Sequence, residues 1–397
     1  MKGPVLICRP SSARGRAGRP SGRTLPDFLA CERSARERCI RPEMTVCRRQ
    51  FLLAGATLPA LVSCANDITT LRERPVKVLA KDLGVCSAAY VVLRASKPTT
   101  TVSVSGCPDF GAQGEEIFQA ASLTKPVIAF GALQMALDGQ LDLNAPVSHY
   151  LPTGYKHFHS VLARSPNDSH DVVPASALSR IPIAALLNHT SGLPNWASGS
   201  LSFEFQPGER WSYSGEGFVL LQGVIEAVTG MELAAYFEKH VFAALGMADT
   251  SLVWRDAFSA RAVNGTSVFG HRRQVRFLNP VAAASLYTTA ADYARFMSNL
   301  LANDRLISLT LANPAQVDST LGLQWGLGWG IERSEGGPYI WQWGNNPGFR
   351  TFAMASVVSK DGFVILTNSE RGMPLAASVA HSVLPAEHNA FRFSWVA

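Results

Sequence analysis

The alternation of apolar and polar positions predicts a sheet formed from the two ends of the chain. Two strand-like runs, Val85–Leu93 and Thr100–Cys107, flank a turn at Ala95-Ser96-Lys97-Pro98 and predict a hairpin. The C-terminal half contains four further runs typical of antiparallel strands, near 328–333, 338–344, 349–357 and 362–367.

Helical periodicity predicts the layers around this sheet. Helices near 66–82 and 374–384 are expected to cover one face, and the middle of the chain, about 123–300, is expected to be mainly helical. The run Pro126–Leu137 is apolar nearly all round, which is typical of a helix buried in a core.

The N-terminal residues have a different pattern. Residues 1–43 are rich in Arg, Gly, Pro and Ser without an apolar period, so no fold is assigned, and Met44 is the expected natural start. Residues 44–63 combine Arg48-Arg49 with a short apolar run, which predicts a twin-arginine-like signal peptide. The run is too short to span a membrane.

The signal ends in Leu61-Val62-Ser63-Cys64, which resembles a bacterial lipoprotein box. Cys64 would then be lipidated and become the mature N-terminus. The alternative is an ordinary secretory signal with a chance cysteine. Either interpretation predicts an exported protein, which we place in the periplasm of a Gram-negative bacterium and expect to be membrane-anchored through Cys64.

The leader, residues 1–63, and the body, residues 64–397, differ in net charge. The chain of 397 residues has a formal net charge of +6. Residues 1–63 contain 12 basic and 4 acidic residues, whereas residues 64–397 contain 24 and 26. The body is therefore slightly acidic, which gives no electrostatic support for nucleic-acid binding. With 47% hydrophobic and 17% charged residues overall, we expect a globular domain over 64–397.

Two cysteines, Cys86 and Cys107, lie in the predicted hairpin at about equal distances from its turn. That register would place them opposite each other on one face of the hairpin. They would form a disulfide in an oxidising compartment, or be two small core residues in a reducing one.

Several common sites are absent from the sequence. It contains no G-x-S-x-G nucleophile elbow, no H-E-x-x-H, no C-x-x-C after Cys64 and no G-x-x-x-x-G-K-[ST] phosphate loop. His157, His159 and His170 fall in a polar stretch and are interpreted as part of a solvated loop. No metal site is predicted.

The sequence Ser122-Leu-Thr-Lys125 opens the apolar helix and is the candidate reactive site. A lysine three residues after the serine lies on the same face of the helix. Burial would lower the pKa of that lysine and let it act as a base. By itself the motif is weak, since about 0.6 matches arise by chance; the alternative is a helix start with a capping serine.

Further blocks follow in a fixed order. They include IPIAALLNHTSGLPNW, PGERWSYSGEGFVLLQGVIEAVTG, AAASLYTTAADYARFM and WQWGNNPGFRTF. Over about residues 80–370 the set resembles the serine β-lactamase and penicillin-binding-protein superfamily, in its class C β-lactamase, DD-peptidase and esterase branch. The resemblance implies an α/β plus all-α fold, in which an antiparallel sheet is flanked by helices with a helical subdomain. It implies no metal or organic cofactor.

The resemblance assigns roles to the first two active-site elements. Ser122 matches the acylated nucleophile and Lys125 its paired lysine. Tyr213 matches the tyrosine that shuttles the serine proton, with Lys125 expected to keep the pKa of Tyr213 low. Gly215 replaces the asparagine of the usual Tyr-x-Asn, so an amide that would bind substrate is missing.

The third element, normally Lys-Thr-Gly or His-x-Gly, corresponds to Gln342-Trp343-Gly344. Gln342 lacks the usual positive charge, for which Arg350 could substitute if its strand points the right way. Gly344 is expected to leave the strand edge open for substrate, and the backbone N–H groups of Ser122 and Asn345 to form the oxyanion hole.

The remaining family blocks are interpreted as structural. His189 is expected to be a scaffold residue, and Thr289 to begin a capping box with Asp292. Trp325, Trp329 and Trp341 are expected in the core, with Trp343 facing the cleft.

Together these features predict a serine hydrolase that forms an acyl-enzyme at Ser122 on an ester, amide or lactam carbonyl. An esterase or peptidase is favoured because Gly215 and Gln342 lack groups that help bind lactams and D-alanyl peptides. The alternatives are a β-lactamase or peptidoglycan DD-carboxypeptidase, and a catalytically weak lipoprotein that binds cell-wall peptides. The expected partner is a small-molecule or peptidoglycan-peptide substrate, and the expected state is a monomer.

Overall fold

The computed structural model of the protein describes residues 68–396 apart from 109–112, 163–164, 166, 274, 335 and 385. The predicted extension 1–43, the signal 44–63 and Cys64 lie outside the described residues.

A nine-stranded antiparallel sheet forms the centre of the fold. Its order is β10-β11-β12-β13-β14-β15-β1, with β2 and β3 both paired to β1. The strands are β1 Ala88–Arg94, β2 Lys97–Pro98, β3 Val102–Val104, β4 Phe118–Gln119, β5 Tyr155–Phe158, β6 His170–Val173, β7 Gly265–Thr266, β8 Arg272–Arg273, β9 Tyr287–Thr288, β10 Ala315–Asp318, β11 Leu323–Trp325, β12 Gly330–Ser334, β13 Gly337–Asn346, β14 Phe349–Ser356 and β15 Gly362–Thr367.

Helices cover both faces of the sheet. They are α1 Ile68–Leu71, α2 Val76–Leu83, α3 Thr124–Leu137, α4 Val147–Tyr150, α5 Ala175–Leu178, α6 Ile183–Leu187, α7 Gly215–Thr229, α8 Leu233–Phe237, α9 Ala243–Leu245, α10 Ala290–Ala302, α11 Asp304–Thr310 and α12 Met373–Val383. Short 3-10 turns occupy Ala121–Leu123, Asp256–Phe258 and Asn389–Arg392, and a π-turn occupies Glu238–Phe242.

The two faces of the sheet support separate hydrophobic clusters. On β15, Val364 and Leu366 pack with helices α3, α7 and α10, whereas Phe363 and Ile365 pack with α2 and α12. This division follows from the two-residue side-chain period of a strand. It confirms the prediction that the first and last helices share one face.

The prediction and the structure differ in three elements. The helix predicted near 66–82 is divided into α1 and α2, because Pro75 restricts the residue before it and starts the second helix. The short strands β10, at the edge of the sheet, and β11, next to it, were missed. Their pairing is interrupted by an irregularity between Gln316 and Asp318, which hides the alternating pattern.

The middle of the chain is less helical than predicted. Helices α3 to α10 are separated by long irregular segments and by the two-stranded pairs β4–β9, β5–β6 and β7–β8. The predicted capping box at the start of α10 is confirmed for Thr289 but not for Asp292. The Thr289 hydroxyl accepts a hydrogen bond from the Asp292 amide, but the Asp292 carboxylate accepts bonds from Asp249 and Thr250 instead of closing the capping box.

The predicted N-terminal hairpin is present. Ala95 and Ser96 form its turn, both with positive φ. Ala88 pairs with Val104, so Cys86 and Cys107 lie just beyond the paired residues, where they are joined in a disulfide with Cα atoms 4.8 Å apart.

Within the described part of the chain, no single helix is both long and apolar enough to cross a membrane. The helix α7 and the helical stretch Leu233–Leu245 meet that criterion together, by length and composition alone, and the two are bent by 71°.

Candidate active site

Ser122 lies in the 3-10 turn that leads into the buried helix α3. The preceding residue, Ala121, has a φ of 52°, a left-handed conformation that is unfavourable for a residue with a side chain. Ala121 and Leu123 are buried, whereas Ser122 is partly exposed. The local backbone therefore presents the serine hydroxyl at the surface of the site while its neighbours anchor the turn.

Lys125 is buried next to this hydroxyl, as the spacing predicts. Its Nζ lies 3.1 Å from Ser122 Oγ and 2.8 Å from the carbonyl oxygen of Ala283. Burial lowers the pKa of Lys125 to about 7. A neutral Lys125 amine could donate one hydrogen to Ala283 and use its lone pair to accept the Ser122 proton.

Tyr213 completes a connected polar group inside an otherwise aromatic environment. Its hydroxyl forms hydrogen bonds with Ser122 and with Gln342, whose Nε2 donates over 2.9 Å. The Lys125 Nζ lies 4.8 Å from the centre of the Tyr213 ring.

The pKa of Tyr213 differs from the prediction. Burial raises this pKa, and the hydrogen bonds to Ser122 and Gln342 reverse only part of the effect. The expectation that Lys125 keeps the pKa of Tyr213 low is therefore wrong. At neutral pH Tyr213 is therefore protonated, whereas a fraction of Lys125 is neutral.

Gly215 is explained by its neighbours. A Cβ atom there would lie 2.5 Å from the Asn195 carbonyl oxygen and 3.0 Å from ring carbons of Trp196. The Trp196 indole thus occupies the space where a side chain at position 215 would begin. Trp196 is 43% exposed, so an aromatic surface lies where the amide expected from the family resemblance would be.

Gln342 is fully buried, and its Nε2 donates both to the Tyr213 hydroxyl and to the carbonyl oxygen of Trp343. The residue therefore supports the tyrosine and is not exposed to bind substrate. Trp343 is only 3% exposed, and its ring centre lies 4.6 Å from that of Tyr213. It therefore packs beneath the site and contributes little exposed surface to the cleft. Trp325, Trp329 and Trp341 are buried as predicted.

Gly344 allows β13 to approach the nucleophile turn. A Cβ atom on Gly344 would lie 2.6 Å from the Ala120 carbonyl oxygen and 2.0 Å from Thr351 Oγ1. That space is filled by the protein itself, and the expectation that Gly344 leaves the strand edge open for substrate stays a prediction. The exposed Asn345 follows directly, and its role as an oxyanion donor with Ser122 stays a prediction.

Arg350 pairs with Asn345 across β13 and β14. Its Nη1 donates to the carbonyl oxygens of Asn346 and Phe349, at 3.3 and 2.9 Å. Burial lowers the pKa of Arg350, and the charge of Glu370 opposes that effect. The guanidinium lies near the site, as a substitute cation would require, but two backbone carbonyls already engage it.

His189 has the expected scaffold position. Its Nδ1 accepts a hydrogen bond from the Ser214 amide at 3.1 Å, and its ring centre lies 4.4 Å from that of Tyr213. Burial and the charge of Lys125 hold the pKa of His189 well below its usual value. A neutral imidazole thus fixes the backbone next to Tyr213.

The predicted solvated histidine loop is wrong for His157. This residue is 2% exposed and its two ring nitrogens lie 2.9 Å from Asp171 and 3.3 Å from Glu216. Its place on β5 buries it, whereas His170 on the partner strand β6 is exposed. Among the residues that the structure describes, no group of three or more His, Cys, Asp or Glu side chains is arranged to hold a metal ion.

Two contributors to the site were not predicted from sequence. The Ala283 carbonyl, 158 positions after Lys125, binds its amine, and the Thr351 hydroxyl donates to the Ala120 carbonyl at 2.8 Å. Neither has a sequence signal, because a backbone carbonyl is common to every residue and threonine is frequent in strands.

Comparison with known proteins agrees with this geometry. The family model described as Beta-lactamase matches residues 77–387. The chain belongs to the beta-lactamase family. The family resemblance and the fold class predicted from the sequence are both confirmed.

Relatives within the beta-lactamase family carry different names. Esterase EstB of Burkholderia gladioli is 29% identical over 54% of this chain and 66% of its own length. Penicillin-binding protein 4* of Bacillus subtilis is 24% identical over 69% of this chain and 65% of its own. The match thus spans slightly less than two thirds of each of these relatives. A D-alanyl-D-alanine-carboxypeptidase/endopeptidase AmpH of Escherichia coli is 25% identical over 65% of this chain and 72% of its own.

Solved structures show the same beta-lactamase fold. A class C beta-lactamase superposes with a TM-score of 0.64 at 17% identity, covering 82% of this chain and 99% of that one. The D-alanine carboxypeptidase AmpC of Burkholderia cenocepacia gives 0.62 at 18% identity, covering 80% and 99%. At these identities the likeness concerns the fold.

Proposed function

We propose that this protein is a serine hydrolase of esterase or peptidase type that forms an acyl-enzyme at Ser122. One observation carries the proposal. The buried Lys125 amine, with its pKa lowered to about 7, lies 3.1 Å from the Ser122 hydroxyl. A serine next to a base that is neutral at working pH is an activated nucleophile.

In the first half of the reaction, Ser122 Oγ attacks the substrate carbonyl carbon while Lys125 takes the hydroxyl proton. The bond to the leaving alcohol or amine then breaks, and the leaving group receives that proton through Tyr213, which bonds to Ser122. The backbone N–H groups of Ser122 and Asn345 are proposed to stabilise the oxyanion. Each such donor is typically worth about 10²–10³-fold in rate.

In the second half, water attacks the acyl carbon and gives up a proton to Lys125. The bond between the acyl carbon and Ser122 Oγ breaks, the acid leaves, and Ser122 regains its proton. Every step uses the side chains of this protein and water.

Esters are the favoured substrates, because the site lacks the groups that hold a charged lactam or peptide. Trp196 occupies the space of an asparagine side chain at Gly215, and Gln342 is neutral and fully buried. An esterase among the relatives supports the same choice. The second candidate, a β-lactamase or DD-carboxypeptidase, is supported by the relative named as a carboxypeptidase.

We also propose that the protein is exported and anchored as a monomeric lipoprotein through Cys64. The basic leader and the lipobox-like Leu61–Cys64 support this, and so does the Cys86–Cys107 disulfide, which is typical of an oxidising compartment. Incorporation of labelled palmitate that is lost in Cys64→Ala would test the anchor.

The activity is tested with two covalent probes, a fluorophosphonate and a fluorescent penicillin. Labelling by the fluorophosphonate alone supports the esterase, and labelling by both supports the penicillin-binding alternative. Absence of both would indicate a binding protein and contradict the proposal. Ser122→Ala should abolish labelling, whereas Ser179→Ala, at an exposed serine whose hydroxyl donates to the Ser176 carbonyl, should not change it.

A further inference from the structure

The segment 388–396 is fixed onto the sheet face that carries Trp341 and Trp343. The carboxylate of buried Glu332 accepts a hydrogen bond from the Ala390 amide at 3.0 Å and lies 3.3 Å from His388 Nδ1. Both side chains are buried. These contacts hold the start of the segment in place.

Alternate aromatic residues then extend the segment toward the active site. Phe391 stacks on Phe352 with ring centres 4.6 Å apart. Phe393 packs against Trp341 and Trp343, at 5.9 Å from each. Since both anchors are buried, the position of the next aromatic residue, Trp395, is set by packing.

Trp395 contacts the catalytic tyrosine. Its ring centre lies 5.7 Å from that of Tyr213 and 6.2 Å from that of Trp343. Unlike Trp343, it remains 47% exposed. Part of the indole therefore packs on the site while the rest is accessible to a ligand.

A cavity of about 250 Å³ opens between this indole and the sheet. It is lined by Trp343, Asn345, Arg350, Glu370, Met373 and Trp395, among others. Asn345, the proposed oxyanion donor, is part of its wall, so the cavity lies next to the proposed oxyanion site.

The cavity favours an uncharged guest. Its two charged residues are of opposite sign, and both are already engaged. Arg350 donates to two backbone carbonyls, and the Glu370 carboxylate accepts from the amides of Gly348 and Val268. Six of the seven other lining residues have apolar side chains, namely Ile68, Trp343, Met373, Pro374, Trp395 and Val396. Side chains of this kind favour contact with an apolar group.

We propose that Trp395 and Trp343 form a specificity pocket for an uncharged apolar group attached to the scissile carbonyl, with Trp395 as its specificity-determining residue. The proposal rests on the proposed hydrolase function. It selects neutral alkyl or aryl esters over substrates that carry a carboxylate at that end.

Equilibrium binding tests the pocket apart from catalysis. In the inactive Ser122→Ala protein, calorimetry would compare hexanoic anilide with adipic monoanilide, which has a similar chain ending in a carboxylate. We expect the neutral ligand to bind more tightly, and Trp395→Ala in the same background to weaken it by at least about fivefold. Trp395→Phe should restore most of the affinity.

Val358→Ala is the matched control, because Val358 is an exposed apolar residue on the turn after β14, at the opposite end from Arg350. It should leave both affinities unchanged. An unchanged affinity in Trp395→Ala, tighter binding of the charged ligand, or no binding of either would overturn the proposal.

Kinetics separates this result from the proposed function. In active protein, Trp395→Ala should raise KM for 4-nitrophenyl hexanoate more than for 4-nitrophenyl acetate. If wild-type protein hydrolyses no ester and yet the binding pattern holds, the hydrolase function fails and the pocket stands.

Discussion

The side-chain amide of Gln342 donates a hydrogen bond to the hydroxyl of Tyr213 over 2.9 Å. Because the amide is the donor, the Tyr213 oxygen accepts, and its own proton is directed toward another partner. Ser122 also bonds to this hydroxyl. Gln342 thereby orients the hydroxyl that we propose as the proton relay, from the position where the sequence resemblance led us to expect a cation.

Gln342→Met should test this orientation. Methionine has a similar shape but cannot donate, so the Tyr213 hydroxyl and the Trp343 carbonyl each lose a partner. We expect kcat/KM for an ester to fall about tenfold, the equivalent of one hydrogen bond. Gln324→Met is the control, since Gln324 bonds to Arg333 on the neighbouring strand β12. Equal effects of the two substitutions would contradict the assigned role.

The pH profile should identify the base. With the pKa of Lys125 lowered to about 7, the amine is charged below that pH and cannot accept the serine proton. We therefore expect kcat/KM to rise tenfold per pH unit up to about 7 and to level off above it. A limb near pH 10 instead would indicate an unperturbed lysine or tyrosine as the base.

Lys125→Met should abolish activity and change how the stability of the protein depends on pH. The folded pKa of about 7 lies below the ordinary value of 10.5, so the folded protein binds fewer protons between these values. Wild-type stability therefore falls as the pH decreases through this window, and the loss is complete below about 7. The variant lacks this loss. Between pH 9 and pH 7, its stability relative to wild type should rise by about 2 kcal/mol.

Urea unfolding at the two pH values measures this difference. Lys81→Met, at an exposed lysine of α2, is the control and should show the same stability difference from wild type at both. A pH-independent difference for Lys125→Met would show that burial does not disfavour the lysine charge.

Removal of the disulfide should destabilise the hairpin. Cys86 and Cys107 are separated by 21 positions, and closing a loop of that size typically contributes about 3 kcal/mol. The double variant Cys86→Ser with Cys107→Ser should therefore have a lower Tm, matched by wild type under reducing conditions. A wild-type Tm that does not respond to a reductant, with no gain of about 2 Da on reduction, would argue against the bond.

Local patterns were sufficient for much of the fold. The apolar runs along 338–344 and 362–367 predicted two central strands, because short apolar runs are typical of buried strands. The Ser122–Lys125 pair was also accessible from the sequence, since three helical positions bring side chains together. The sequence showed that Gly215 and Gln342 differ from the motifs expected from the family resemblance. It did not show which residues surround them.

The sequence by itself determined the elements, the serine–lysine pair and the family resemblance, because each depends on spacing along a short stretch of chain. Only the tertiary structure decided what surrounds that pair. The Ala283 carbonyl at Lys125, Trp196 beside Gly215, Gln342 on Tyr213 and Trp395 over the site come from distant segments. Burial by these segments lowers the pKa of Lys125 and raises that of Tyr213, and desolvation of this kind depends on packing in three dimensions.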